Sequence, residues 1–133
     1  MIFKNKVILI TGACGLIASK LIDALDQRGA TLILVDLNES KLKERKKNLI
    51  CPKSSYLVLN LCDVESHLKI LEFIKKSHPK LDCAIHLAYP RSTAWGTPFG
   101  KLTQTFLEED LNNQLALPIL LSQSVLNFFE KQK

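Results

Sequence analysis

The stretch "VILITGACGLIASKLIDALDQRGATLILVD", from Val7 to Asp36, decides the fold of this 133-residue chain. It begins and ends with a short apolar run, and a glycine loop and a helix-forming segment lie between the two runs. Continuous apolar runs of this kind are typical of strands that are buried on both faces of a parallel sheet. The helical segment ends at Gly29, a residue type favoured just after a helix C-terminus. The stretch therefore predicts a β-α-β unit.

The same alternation continues to the end of the chain. Four apolar runs predict four strands, at Lys6–Ile10, Thr31–Val35, Tyr56–Leu61 and Cys83–Ala88. The order β-α-β-α-β-α-β-α requires right-handed crossovers onto a parallel sheet. The sequence therefore predicts an α/β, Rossmann-type doubly wound sheet with strand order 3-2-1-4 and four helices.

Helical periodicity fills the intervals between these runs. The first helix is expected to bury Ile17, Leu21 and Leu25, and the third to bury Val64, Leu68, Leu71 and Ile74 before His78-Pro79 ends it. Asn38–Leu49 predicts a more polar second helix. A capping box from Thr105 to Glu108 predicts the start of the fourth helix, which runs to Phe129 and kinks or restarts at Pro118.

Composition indicates one globular domain, residues 1–133. A hydrophobic fraction of 47% and a charged fraction of 23% exclude a disordered chain. The charge of +5 comes mainly from Lys41–Lys47, and this run contains no aromatic side chain to stack on bases. It is interpreted as a solvated helix face, which argues against nucleic-acid binding.

The four cysteines include no C-x-x-C pair, so a metal cluster of Cys62, Cys83 and His86 is disfavoured. Reduced thiols favour a cytoplasmic protein. No apolar run is long enough for a signal peptide or a membrane span, and no membrane association is expected.

The loop "TGACGLIA" has the pattern of a dinucleotide cradle. Gly12 allows the tight turn after strand 1, and Gly15 lets backbone N–H groups approach a pyrophosphate at the start of the helix. Ala18 stands where a third glycine is usual. Asp36 ends strand 2 about 20 residues later, where its carboxylate can accept hydrogen bonds from ribose hydroxyls. A 2′-phosphate would meet this negative charge, so NAD is expected to be preferred over NADP.

Three motifs in this order resemble the short-chain dehydrogenase/reductase superfamily. "TGACGLIA" is similar to the T-G-x-x-G-x-x-G pattern of its extended branch, with Ala18 as the departure. "CDV" (Cys62–Val64) resembles the acidic turn that contacts adenine, and "LDCAIHLAYP" resembles the signature of the fourth strand. The continuation "AYPRSTAWG" resembles a narrower group of bacterial oxidoreductases that are associated with flagellin glycosylation and nonulosonate-type sugars.

The resemblance implies that this chain is the NAD-binding N-terminal half of a longer dehydrogenase that acts on a sugar or another small carbonyl or alcohol. Arg91 could face a substrate carboxylate or phosphate, and a solvent-facing loop arginine is the alternative. The residues implied to bind the cofactor are Gly12, Cys14, Gly15, Leu16, Ile17, Asp36, Leu37, Asp63, Val64, Leu87, Ala88 and Tyr89.

The catalytic motif of the superfamily has no match in these residues. Its proton donor is a tyrosine followed four places later by a lysine, but Asn60 follows Tyr56 and Thr93 follows Tyr89 at that spacing. The chain is therefore expected to be inactive alone. The family's catalytic asparagine, counted back in the usual register, falls on Gln114. Asn112 or Asn113 fits only with a small insertion, and a plain helix-surface role is the alternative for all three.

Two other functions remain open. The chain could be a non-catalytic dinucleotide sensor or scaffold, or a fragment of a nucleotide-sugar epimerase or dehydratase. The last helix also carries more apolar residues than one face against a four-stranded sheet needs, and the fourth strand would have an open edge. The sequence therefore predicts a homo-oligomer.

Overall fold

A computed structural model describes residues 1–132 as one parallel sheet between two layers of helices. The strands are β1 (Val7–Thr11), β2 (Thr31–Asp36), β3 (Ser55–Val58) and β4 (Cys83–His86). The helices are α1 (Leu16–Gln27), α2 (Glu39–Asn48), α3 (Ser66–Ser77), α4 (Gln104–Leu111) and α5 (Leu117–Lys131). A short 3₁₀ turn covers Phe99–Lys101, and a π-helical turn covers Asn112–Ala116.

The strand order is β3-β2-β1-β4, and every pairing is parallel. The predicted order 3-2-1-4 is therefore confirmed. β1 is the centre of the register, because Leu9 lies opposite Ile33 on one side and Ala84 on the other. Since all strands run the same way, their carboxyl ends meet at one edge of the sheet. Open α/β sheets bind their ligands at that edge.

Alternate residues of the two central strands fill two separate cores. Ile8, Ile10, Leu32 and Leu34 pack with α1 and α2, whereas Leu9, Ile33 and Val35 pack with α3 and α5. Side chains on a strand point alternately to opposite faces, so a strand with helices on both sides must be apolar throughout. This requirement explains the continuous apolar runs in the sequence.

The predicted buried faces of two helices are partly wrong. Ile17 and Leu68 are exposed, and Val64 is exposed and lies before the first residue of α3. The residues that α1 buries are Ala18, Ile22, Leu25 and Asp26, and those that α3 buries are Ser66, Ile70 and Ile74. Leu25 and Ile74 are buried as predicted. In both helices a second apolar stripe lies beside the buried one, and periodicity alone does not distinguish the two stripes.

The helix ends agree with the sequence in two cases and differ in a third. Gly29 has φ +88° and donates its N–H to Asp26, as expected for a residue just beyond a helix C-terminus. α3 ends at Ser77 with His78 as its C-cap, as predicted. The predicted capping box at Thr105 is wrong, because Thr103 is the N-cap of α4 and its side chain accepts from the Phe106 N–H at 3.3 Å.

The fourth predicted helix consists of two α segments, α4 and α5, joined by the π-helical turn. The irregularity was expected at Pro118 but begins at Asn112. Pro118 itself lies in the first turn of α5, where the missing N–H of proline is tolerated. Among the described residues, no helix is both long and apolar enough to cross a membrane.

Candidate functional site: a dinucleotide cradle

The glycine loop lies directly against the backbone that follows β4. Gly12 has φ +69°, and a Cβ added to it would lie 2.5 Å from the Ala88 nitrogen and 2.6 Å from the carbonyl carbon of Leu87. The Leu87 N–H also donates to the Thr11 carbonyl at 3.0 Å. Both the conformation and the close approach therefore require glycine at this position.

The carboxylate of Asp36 fastens this loop to β2. The Cys14 N–H donates to Asp36 Oδ2 at 2.9 Å, and the Asn38 N–H donates to Asp36 Oδ1 at 3.0 Å. Each carboxylate oxygen can accept more than one hydrogen bond, so Asp36 keeps acceptor capacity for a ligand hydroxyl. Asp36 thus orders the loop, a role that sequence spacing did not suggest.

The first turn of α1 offers donors to an anion. Its N-cap is Gly15, which has no side chain with which to cap the helix. The first N–H groups of a helix have no partner inside the helix, and the helix dipole favours negative charge there. Ala18 is fully buried at the position of the usual third glycine, so the methyl group is accommodated in the core. This end of α1 fits a pyrophosphate.

Apolar side chains surround the same edge without packing into the core. The exposed fraction reaches 94% at Leu16 and 67% at Leu37. A group of exposed apolar side chains marks a surface that binds a ligand or another protein. Five residues that the sequence assigned to the cofactor share this exposure: Leu16, Ile17, Leu37, Val64 and Tyr89.

A cleft of about 210 Å³ joins the loop to the ends of β2, β3 and β4. Five of its lining residues were predicted from the sequence: Gly12, Asp36, Leu37, Ala88 and Tyr89. Asp63 and Val64 lie outside the lining. The wall on the β3 side consists of Leu59, Asn60 and Leu61. The sequence predicted these three residues as the end of the third strand, whereas β3 ends at Val58.

Arg45 is a neighbour of the cradle that sequence analysis did not single out. It donates from Nη1 to Ser19 Oγ at 3.1 Å, and it lines a second cleft together with Cys14 and Lys41. Burial, with help from the Asp36 carboxylate, raises the pKa of the Cys14 thiol, although Arg45 opposes the shift. Cys14 is therefore a protonated thiol and not a reactive thiolate. Arg45 belongs to the Lys41–Lys47 run, which was interpreted from the sequence as a solvated helix face, and only the fold brings it to the glycine loop 30 residues earlier.

The π-helical turn provides the small insertion that Asn112 or Asn113 requires to match the family's catalytic asparagine. A π turn holds one more residue than an α turn, and here it covers Asn112–Ala116. Asn113 is 8% exposed and lines a small cavity with Thr11, His86 and Ala88. Asn112 is exposed, and Gln114 donates to the Pro90 carbonyl at 3.3 Å. Of the three candidates, the fold brings only Asn113 into a buried site beside the ends of β1 and β4.

His86 lies in β4 and faces Thr11 of the paired strand. Thr11 Oγ1 and His86 Nδ1 are 3.5 Å apart, and burial lowers the pKa of the imidazole. A histidine with a lowered pKa is neutral at pH 7. His86 lies opposite Thr11 in the parallel pairing of β1 with β4.

The loop after β4 presents an aromatic and cationic cluster. Tyr89 and Trp95 meet edge to face with ring centroids 5.3 Å apart, and the Arg91 guanidinium lies 5.4 Å from the centre of the Trp95 ring. Arg91 and Tyr89 were singled out from the sequence, whereas Trp95 was not. Tyr56, the other tyrosine, packs against the core.

Comparisons with known proteins agree with this geometry. The model of the short chain dehydrogenase family matches residues 6–133. The post-translational flagellin modification protein A of Campylobacter coli is 31% identical over 97% of this chain and 52% of that protein. This chain therefore spans about half the length of that relative.

Solved structures share the fold at lower identity. A proposed short chain dehydrogenase from Pseudomonas syringae superposes with a TM-score of 0.81 at 21% identity, over 97% of this chain and 55% of that one. Another from Escherichia coli CFT073, complexed with NADPH, gives a TM-score of 0.79 at 22% identity, over 95% of this chain and 54% of that one.

Proposed function

This chain belongs to the short-chain dehydrogenase family, and we propose that it forms the NAD(H)-binding part of an oxidoreductase that acts on a sugar or another small carbonyl or alcohol. The contact that carries the proposal is the fit of Gly12 against Leu87 and Ala88, with the loop fastened to Asp36. With the loop held in this way, the N-cap of α1, Gly15, has no side-chain cap, so the first N–H groups of the helix stay available to a pyrophosphate. Members of this family bind nicotinamide dinucleotides, so a cofactor of this class follows from family membership. The preference for NAD(H) over NADP(H) is part of the proposal.

The residues of this chain suit the pyrophosphate and the adenosine of such a cofactor. The first turn of α1 would hold the pyrophosphate, and Asp36 would accept hydrogen bonds from the adenosine ribose. Leu37 and the wall formed by Leu59, Asn60 and Leu61 would line the adenine side of the cleft. The bound cofactor supplies hydride transfer. The chain's part is to orient it at the edge of the sheet.

Asn113 is our candidate for the family's catalytic asparagine. Its burial in the π turn, beside Thr11 and His86, places an amide at the end of the strand next to the cleft. An amide there can donate and accept hydrogen bonds, which suits the positioning of a substrate or of a bound water. Asn112 is not retained for this role because its side chain is exposed.

We expect NADH to bind at least about tenfold more tightly than NADPH, a difference of roughly 1.4 kcal/mol. The Asp36 carboxylate would accept from the ribose hydroxyls of NADH but would repel a 2′-phosphate. Asp36→Asn should narrow the difference by improving NADPH binding. Asp36→Ala should also narrow it while weakening both cofactors, since it removes the acceptors for the Cys14 and Asn38 N–H groups. Isothermal titration calorimetry measures the six dissociation constants, for NADH and NADPH with the unmodified chain and with each of the two variants.

The control for charge is Glu130→Gln, near the end of α5. The neighbouring Gln132 hydrogen-bonds to Leu81, just before β4 begins, so this region lies at the opposite edge of the sheet. Both cofactor affinities should be unchanged in this variant. NADPH binding that equals or exceeds NADH binding in the unmodified chain would refute the preference.

A second expected result is that the 133-residue chain transfers no hydride to or from any carbonyl or alcohol. Neither tyrosine is followed by a lysine four places later, and Tyr56 is packed against the core. Without the family's tyrosine–lysine pair, reduction of a carbonyl lacks its general acid. The absorbance of NADH, followed over time in the presence of a fixed concentration of substrate, should stay constant. Turnover that disappears in Tyr89→Phe would show that Tyr89 is the acid after all.

A second candidate function is a dinucleotide-binding sensor or scaffold, which would use the same cradle. It would share the cofactor affinities predicted above. The two candidates differ once the chain is supplied with a family tyrosine–lysine segment: an oxidoreductase part should then support turnover, and a sensor should not.

A further inference from the structure

The loop that follows β4 is ordered and alternates between buried and exposed residues. Ser92 and Ala94 are 6% and 8% exposed, whereas Arg91, Thr93 and Trp95 face outward. The Ser92 N–H donates to Asp110 Oδ1 at 3.2 Å, which fastens the loop to α4. The outward side chains are therefore held on a fixed backbone.

Two of the outward side chains and Tyr89 form one cluster. The Tyr89 and Trp95 rings are almost perpendicular, at 88°, an arrangement that aromatic rings favour. The Arg91 guanidinium lies over the Trp95 ring, and cation–π attraction holds it there. This stacking fixes a planar set of N–H donors in advance of any ligand.

The charge of Arg91 is not balanced by the protein. The ion pairs found among residues 1–132 all involve lysines, and no carboxylate there pairs with Arg91. An arginine fixed on a ring and without an acid partner can offer two parallel N–H bonds to a carboxylate or a phosphate.

The cluster adjoins the cofactor cleft. Tyr89 lines that cleft together with Gly12 and Asp36, and its ring also contacts Trp95. A ligand seated against Trp95 would therefore lie beside a bound cofactor. A substrate that exchanges hydride with the cofactor must also lie beside it.

We propose that Tyr89, Arg91 and Trp95 recognise a substrate that carries an oxyanion, either a carboxylate or a phosphate, next to an apolar face such as the C–H face of a sugar ring. Arg91 binds the oxyanion, and the negative faces of the aromatic rings attract the weakly positive C–H groups. The proposal deepens the proposed function and rests on it for the identity of the neighbouring cleft.

Trp95 is the only tryptophan of the chain, so its fluorescence reports on this cluster alone. The unmodified chain, saturated with NADH, is titrated at constant ionic strength with glucose 6-phosphate, glucuronate, inorganic phosphate and glucose. Excitation and emission are set where NADH contributes least. We expect a saturable change with the sugar phosphate or the sugar acid, a weaker one with inorganic phosphate, and none with glucose. The stronger of the first two identifies the oxyanion.

The variants separate this site from the phosphate-binding end of α1. Arg91→Gln should raise the midpoint for the anionic sugar by roughly tenfold or more, because charge-assisted hydrogen bonds are lost. Arg91→Lys should restore only part of the affinity. Arg28→Gln is the matched control: Arg28 is exposed and bonds to the Ala24 carbonyl near the end of α1, so its midpoint should equal that of the unmodified chain.

Three results would overturn the proposal: no saturable change with either anionic sugar, equal midpoints for Arg91→Gln and the unmodified chain, or a glucose response as strong as the anionic ones. Calorimetric binding of NADH is measured on the same samples. If NADH binds but the anions do not, the oxyanion site is refuted and the proposed function stands. If NADH itself does not bind, the proposed function fails.

Discussion

Gly12→Ala is expected to abolish dinucleotide binding and to lower the free energy of unfolding by about 2–5 kcal/mol. Roughly 1–2 kcal/mol comes from a side chain in the left-handed region, where Gly12 has φ +69°. Another 1–3 kcal/mol comes from overpacking, because the new Cβ would lie 2.5 Å from the Ala88 nitrogen. Relief of this clash must push β1's loop away from β4 and so widen the cradle. A domain is stable by only about 5–15 kcal/mol, so the loss is large.

Two other glycines separate the causes. Gly96 has φ +87° but open space around its missing Cβ, and Gly100 has open space without a positive φ. Gly96→Ala should therefore lose only about 1 kcal/mol, and Gly100→Ala should be close to neutral. Urea unfolding and NADH titration of the three variants test the ranking. If Gly12→Ala equals Gly100→Ala in its free energy of unfolding and in its affinity for NADH, the glycine loop does not lie where the structure places it.

The second large effect expected is self-association of the chain. Several apolar side chains of the segment from α4 to α5 are exposed, with Leu111, Leu115 and Ile119 each more than half exposed. Leu121 and Val125 are buried in the core, so the apolar residues of this segment divide into a core face and an outward face. Full burial of one such side chain is worth about 1.5–3 kcal/mol. We expect light scattering to give a mass above that of a single chain.

Two surfaces could mediate this association, and variants distinguish them. Leu115→Gln combined with Ile119→Gln removes apolar area from the helical face, and Leu68→Gln is the control on α3, where Leu68 is also exposed. β4 pairs only with β1 among the described strands, so its other edge offers unpaired backbone groups. If the double variant has the mass of a single chain, the chains associate through the segment from α4 to α5. If the double variant still associates, the chains associate through the edge of β4. A single-chain mass for the unmodified protein, with cooperative unfolding, would contradict both.

The motif around Gly12 shows how far a short sequence can specify a site. Gly12, Asp36 and Ala88 were predicted separately, from a turn, a strand end and a strand signature, and they line one cleft. Parallel strands carry their ends to the same edge, so local motifs become a site without further information. The prediction that Asp63 and Val64 contact the cofactor depended on where β3 ends. β3 stops at Val58, and Leu59, Asn60 and Leu61 form the cleft wall instead.

The asparagine illustrates the opposite case. No residue pattern at Asn112–Ala116 signals a π-helical turn, because the turn depends on how α4 and α5 pack against the rest of the chain. That packing buries Asn113 in the cavity with Thr11 and His86. A register count without the turn falls on Gln114, whose side chain bonds to Pro90.

The sequence by itself determined the order of strands, the parallel sheet and the place of the glycine loop. These features follow from the length and apolarity of short segments and from the conformational freedom of glycine, which are local properties. Only the tertiary structure decided which helix stripe is buried, that Asp36 bonds to the Cys14 N–H, and that Arg45 bonds to Ser19. Each of these depends on the distance between segments that are separated in sequence, or on the competition of two apolar faces for one sheet, and packing alone settles such competition.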